Sequence, residues 1–119
     1  MVKKILVALD GSKASNDALS FALDLADELS ANIELLTVVP PVFLPAYSIN
    51  VLKSDAISEI AKNLEISFRN ILSKAKEEAR KTHPRTNLST RFEKGEPSEK
   101  IVDVANQGGF ELIIMGSRG

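Results

Sequence analysis

The stretch Ile5-Leu6-Val7-Ala8-Leu9-Asp10-Gly11-Ser12 decides the fold. Five apolar residues in a row, with no polar alternation, predict a strand buried on both faces, and Asp10-Gly11-Ser12 predicts a sharp turn at its carboxyl end. An amphipathic helix follows at once. Ala18, Phe21, Ala22, Leu25, Ala26 and Leu29 recur at steps of three and four over 14–29, with Asp24, Asp27 and Glu28 off the stripe. Ser12 or Ser15 is the expected N-cap.

The rest of the chain repeats this alternation. Ile33 to Val39 is β-branched and apolar, and Pro40-Pro41 stops it because proline cannot extend a ladder. The stretch 40–50 carries three prolines yet is apolar for a loop, which suits a lid or a contact surface. Over 54–82 a second helix is expected, with Ile57, Ile60, Ala61, Leu64, Phe68, Ile71, Leu72, Ala75 and Ala79 on one stripe and His83-Pro84 at its end. Weak alternation from Asn87 to Phe92 predicts an edge strand. Glu96-Pro97-Ser98-Glu99 opens a short helix whose apolar face is Ile101, Val104 and Ala105, and Gly108-Gly109 closes it. Leu112-Ile113-Ile114-Met115 reads as a last strand, buried on both faces like the first.

The order β-α-β-α-β-α-β implies right-handed crossovers and a doubly wound parallel sheet in a three-layer α/β/α sandwich. Ligands of such sheets sit outside the carboxyl ends of the strands, where the strand order reverses. Four turns lie there: Asp10-Gly11-Ser12, Val38-Val39-Pro40, Glu93-Lys94-Gly95 and Gly116-Ser117-Arg118-Gly119.

Composition narrows the classes. At 119 residues the chain is sized for one domain, 44% apolar and 26% charged, with 15 Lys plus Arg against 16 Asp plus Glu. A net charge of -1 offers no sequence-wide field for nucleic acid or an anionic membrane, so neither is an expected partner. The absence of cysteine excludes disulfides and thiol chemistry. Met1-Val2-Lys3-Lys4 runs straight into a strand rather than a signal segment, and no run reaches the roughly 18 apolar residues of a membrane span. A cytoplasmic location is expected.

The turns admit competing readings. Gly116-x-x-Gly119 after an apolar strand suits a phosphate, because glycine lets backbone amides approach an anion; on spacing alone a plain turn that needs positive φ is the more economical reading. Ser117 and Arg118 offer phosphate contacts, although a loop arginine is usually solvated. Asp10 can accept from a ribose hydroxyl or help hold a divalent cation, or simply form the turn and cap the helix. His83, beside a proline at a helix end, has no partner histidine or cysteine near it in sequence and reads as a surface residue. Glu93, Glu96 and Glu99 are explained by capping and solvent. No GxGxxG follows the first strand, no GxxxxGK[ST] occurs, and no strand-turn-Ser nucleophile motif is present. A receiver-type phosphoacceptor would need aspartate ending the third strand, where Phe92-Glu93-Lys94-Gly95 stands.

Taken together these residues resemble the universal stress protein family. Lys4 to Ser12 is similar to the family's opening strand, Ala18 to Leu29 to its first helix, and Leu36-Thr37-Val38-Val39 to its second strand. Gly95-Glu96-Pro97 with Ile101 and Ala105 is similar to its glycine-x-proline turn and third helix, and Leu112 to Gly119 to its most specific stretch. Glu111 departs from the family's usual aspartate. The resemblance implies a Rossmann-like adenine-nucleotide-binding fold of strand order 3-2-1-4-5, here 3-2-1-4 without the fifth strand. It also implies a homodimer or higher oligomer, and a single domain over 1–119 that is C-terminally truncated relative to the family.

Carried over by position, Asp10 contacts ribose or an associated Mg2+ or Mn2+, with Ala8 and Leu9 near the base. The backbone of Val38 reads the adenine edge, Met115 packs near the nucleotide, and Gly116, Ser117, Arg118 and Gly119 begin the phosphate loop. That loop ends, in the ATP-binding members, in a glycine followed by serine or threonine, for which this chain has no counterpart. The implied function is an ATP- or adenine-nucleotide-binding regulatory module of the stress response, with slow ATP hydrolysis as the most catalysis expected. The alternative is a dimeric interaction module of the same fold that binds no nucleotide. Without a covering helix and a fifth strand, the fourth strand should present a bare edge and apolar surface through which chains associate.

Overall fold

A computed structural model describes residues 1–42 and 54–116. The expected elements form in the expected order: β1 (Lys4–Ala8), α1 (Lys13–Leu29), β2 (Asn32–Val39), α2 (Ser54–Thr82), β3 (Leu88–Lys94), α3 (Pro97–Gly108) and β4 (Leu112–Met115). Most of the apolar loop, with Ser117, Arg118 and Gly119, lies outside the described residues. The strands pair in parallel in the order β3-β2-β1-β4. Strand order therefore reverses between β1 and β4: α1 carries the chain to one side of β1, and α3 carries it across to the other.

Two cores follow from the pleat. Ile5, Val7, Leu9, Ile33 and Leu35 pack with Leu19, Ala22, Leu23 and Ala26 of α1 and with Leu72 and Ala79 of α2. On the opposite face Leu6, Leu36 and Val38 meet Ile101, Val104 and Ala105 of α3. Both faces of β1 and β2 are covered, which is why their sequences run apolar without alternation.

Three expectations are corrected by the packing. In α1 the buried set is Ser15, Leu19, Ala22, Leu23 and Ala26, while Phe21 is 61% exposed. The cap goes with this rotation: Ser15 is buried, its hydroxyl accepting the Asp10 N–H beyond β1 at 3.4 Å and donating to the Ser12 carbonyl at 3.1 Å, and with Ser15 facing inward Phe21 and Leu29 face outward. In β4 only Leu112 and Ile114 pack against a core, and Ile113 and Met115 are 38% and 55% exposed. The reason is that α3 lies over β1 and β2 and stops short of β4. His83, finally, is mostly covered and paired. Its Nδ1 lies 2.7 Å from Oγ1 of the adjacent Thr82, and its Nε2 lies 2.7 Å from Oδ1 of Asp24, a partner 59 residues away that the fold brings to it.

The long stripe of α2 is used in part. Leu72 and Ala79 are buried, whereas Ile60 of the same stripe is exposed. A 29-residue helix spans about 43 Å, far more than strands of 4 to 8 residues, so its amino-terminal half runs on past the carboxyl ends of the strands. Among the described residues no helix is long and apolar enough to cross a membrane.

Thr37 is fully buried on the α2 side of β2, and its hydroxyl has no hydrogen-bond partner among the described residues. Thr37→Val keeps the shape and removes the unpaired group, so it is expected to raise stability by about 1 kcal/mol, read as a higher urea midpoint at unchanged slope. A lower midpoint would show that the hydroxyl is satisfied in solution.

Candidate functional site

The turn after β1 is held by short polar contacts. Leu9 extends the ladder by one step, its N–H donating to the Leu36 carbonyl at 2.8 Å. Asp10 Oδ1 then accepts the Ser12 N–H at 2.9 Å, and Ser12 Oγ accepts the Ser15 N–H at 3.1 Å as the N-cap of α1. Gly11 between them has φ +84°, a left-handed conformation that glycine adopts without strain. The turn-forming reading of Asp10 is thus realised, and the aspartate also stands at the rim of a cleft.

That cleft, about 330 Å³, opens where the carboxyl ends of β1, β2 and β4 meet, at the reversal of strand order. Ala8, Leu9, Asp10, Val38, Met115 and Gly116 all line it. Six of the nine residues singled out from sequence are therefore gathered in one place, and the other three are Ser117, Arg118 and Gly119. The lining also includes Ser15, Leu36, Pro40, Phe68, Pro97 and Ile101, which sequence reasoning assigned to core, cap or loop. Leu36, Phe68 and Ile101 were hidden by their places in regular apolar runs and stripes, since a residue at the end of a stripe looks like one in its middle, and Ser15, Pro40 and Pro97 by their roles as cap, strand stop and helix opener. The turn after β3 does not join: Lys94 and Gly95 border a neighbouring hollow beside α2.

Gly116 is required here for a different reason from the one expected. Its φ is not in the left-handed region. A Cβ would instead lie 2.5 Å from the Ala14 carbonyl carbon and 2.6 Å from the Ser15 nitrogen, so glycine is what lets β4 end directly against the first turn of α1.

The described lining is apolar apart from Ser15 and Asp10, and it includes no lysine or arginine. The amino termini of α1 and α3 are already capped, α1 by Ser12 and α3 by Glu96. Glu96 accepts from Ser98 Oγ at 2.6 Å and from the Glu99 N–H at 2.8 Å, and these bonds hold its carboxyl below the usual range. This part of the cleft therefore suits a flat apolar ring and hydroxyl groups better than a phosphate. Among the described residues no cluster of three or more potential metal ligands occurs, so Asp10 would hold a cation only together with oxygens of a ligand.

Two other carboxyls brace the frame. Glu65 on α2 is paired with Lys94 at the end of β3 and with Arg69 at 3.3 Å, and Lys94 contributes most to lowering its pKa. Glu111 Oε1 accepts the backbone N–H groups of Lys3 at 2.8 Å and Lys4 at 3.1 Å, which likewise favours its charged form. Glu111 thus ties the start of β1 to the start of β4. All three groups titrate below their ordinary 4.5 when folded. Their stabilisation is present above that value and lost as pH falls through the folded pKa values. The melting temperature should decline below about pH 4.5, and Glu65→Gln, Glu96→Gln and Glu111→Gln combined should flatten the decline. An equally steep decline in the triple variant would refute this assignment.

A parallel α/β domain with a ligand-sized cleft at its strand-order reversal is the class that fold and site define. A model of the universal stress protein family matches residues 1–119. The universal stress protein YxiE of Bacillus subtilis is 34% identical over 122 residues, covering 100% of this chain and 81% of its own length. Among solved structures, UspA of Lactobacillus plantarum superimposes with a TM-score of 0.79 at 24% identity, covering 99% of this chain and 81% of that one. A universal stress protein in complex with cAMP superimposes with a TM-score of 0.67 at 21% identity, covering 95% of this chain and 75% of the other. The chain belongs to the universal stress protein family.

Proposed function

We propose that this chain binds an adenine nucleotide in the cleft at the ends of β1, β2 and β4 and works as a regulatory stress-response module rather than a turnover enzyme. The observation that carries the reading is the convergence of Ala8, Leu9, Asp10, Val38, Met115 and Gly116 on one cleft at the strand-order reversal. Leu36, Val38, Ile101 and Met115 offer an apolar bed for a base, and Asp10 at the rim offers a carboxylate to ribose hydroxyls. The cAMP complex of a protein with this fold is in keeping with such a ligand. ATP is the nucleotide proposed, its Mg2+ or Mn2+ shared between phosphates and Asp10, with Gly116, Ser117, Arg118 and Gly119 on the phosphate side. Beyond Asp10 the described lining holds no candidate general base, which supports binding over turnover.

Calorimetry with adenosine, AMP, ADP and ATP tests the reading. Saturable binding of at least one of them is expected, weakened by Asp10→Ala; absence of binding by all four contradicts it. A single domain over 1–119, a cytoplasmic location and a homodimer belong to the same proposal. The exposed Ile113 and Met115 stand on a strand that pairs only with β1 among the described residues, a surface suited to a second copy. A stable monomer by light scattering at high concentration would count against association.

A further inference from the structure

Phe68 is the one aromatic side chain among the described residues lining the cleft. It is half-buried, at the midpoint of α2, rather than sunk in a core as Leu72 is one turn later. The helix is anchored at this level. Glu65, three residues before Phe68, pairs with Lys94, and Arg69, one residue after, lies 3.9 Å over the Phe92 ring while holding Glu65. These contacts fasten α2 to β3 on both sides of Phe68.

Across the cleft stand Pro97 and Ile101 of α3 and Met115 of β4. Since α2 and α3 pack on opposite faces of the sheet, the cleft is bounded by an aromatic side chain from one face and by aliphatic side chains from the other. The geometry points to Phe68 as the residue that selects a planar aromatic base, by stacking its ring on one face of the base while Ile101 and Met115 cover the other. Stacking is favoured between a phenyl ring and the π-face of a base, in an offset arrangement, and is absent for an aliphatic side chain of similar bulk. This assignment rests on the adenine-nucleotide reading of the cleft and adds to it the side chain that recognises the base.

The test compares Phe68→Ala, Phe68→Leu and Phe68→Trp with the parent chain by calorimetry, using adenosine and ribose 5-phosphate as separate probes, with folding checked by circular dichroism. Phe68→Ala and Phe68→Leu should each weaken adenosine binding about 10- to 100-fold, and Phe68→Trp should retain it. Ribose 5-phosphate should bind all four proteins alike. Full retention of adenosine binding in Phe68→Leu would overturn stacking while leaving the nucleotide reading intact. Failure of the parent chain to bind adenosine, AMP, ADP or ATP would overturn both.

Discussion

Gly116→Ala is expected to lower stability by about 2–3 kcal/mol and to abolish most ligand binding at the same time. A methyl group at this position would sit 2.5 Å from the Ala14 carbonyl carbon, 2.6 Å from the Ser15 nitrogen and 2.7 Å from the Ala14 oxygen. All three are backbone atoms of the first turn of α1, so no side chain can swing aside to relieve the contact. Either β4 withdraws from β1 or the cap of α1 opens, and both movements disturb the cleft. Denaturant unfolding and calorimetry on the same preparation measure the two effects, and a variant as stable as the parent chain would contradict the close approach of β4 to α1.

Leu36→Ala is expected to cost about 2–5 kcal/mol. Leu36 is fully buried on the α3 face of β2 and is also part of the cleft lining. Its truncation leaves a cavity that opens upward into the cleft, so the base would lose its support as the core loses packing. Val102→Ala serves as the reference, because Val102 lies on α3 outside its buried face, is 52% exposed, and its truncation should change stability by no more than about 0.5 kcal/mol. Similar urea midpoints for the two variants would mean that the α3 core is not packed as described.

The backbone architecture was legible because β1 and β2 are covered on both faces, which leaves uninterrupted apolar runs in the sequence, and because Pro40, Pro97 and Gly109 punctuate the elements where they begin or end. The rotation of α1 was not legible. Apolar residues fill more of that helix than the sheet covers, and the choice between Phe21 and Leu19 goes with a serine that turns inward. The exposure of Ile113 and Met115 was equally hidden from a local reading, since β4 is an uninterrupted apolar run like Ile5 to Leu9 and differs in what lies over it.

The site divides in the same way. Asp10 was singled out in the turn after the first strand, where the fold rule puts ligands, whereas Val38 and Met115 were placed by the resemblance to the family. Phe68 and Ile101 were passed over because they come from helices on opposite faces, and nothing in linear spacing announces that two helices will frame one cleft. Gly116 was noticed for the freedom of its backbone, yet its necessity comes from a neighbour about a hundred residues earlier in the chain.

The central claim is that an adenine base occupies the cleft between α2 and α3. Titration of adenosine into methyl-labelled protein, followed by NMR, tests it most directly. Saturable shifts are predicted for Ala8, Leu36, Val38, Ile101 and Met115, with one common dissociation constant, while Ile33 and Leu88 near the amino ends of the strands stay unmoved. No saturable shift at the cleft methyls, or shifts centred on Ile33 and Leu88, would contradict the account.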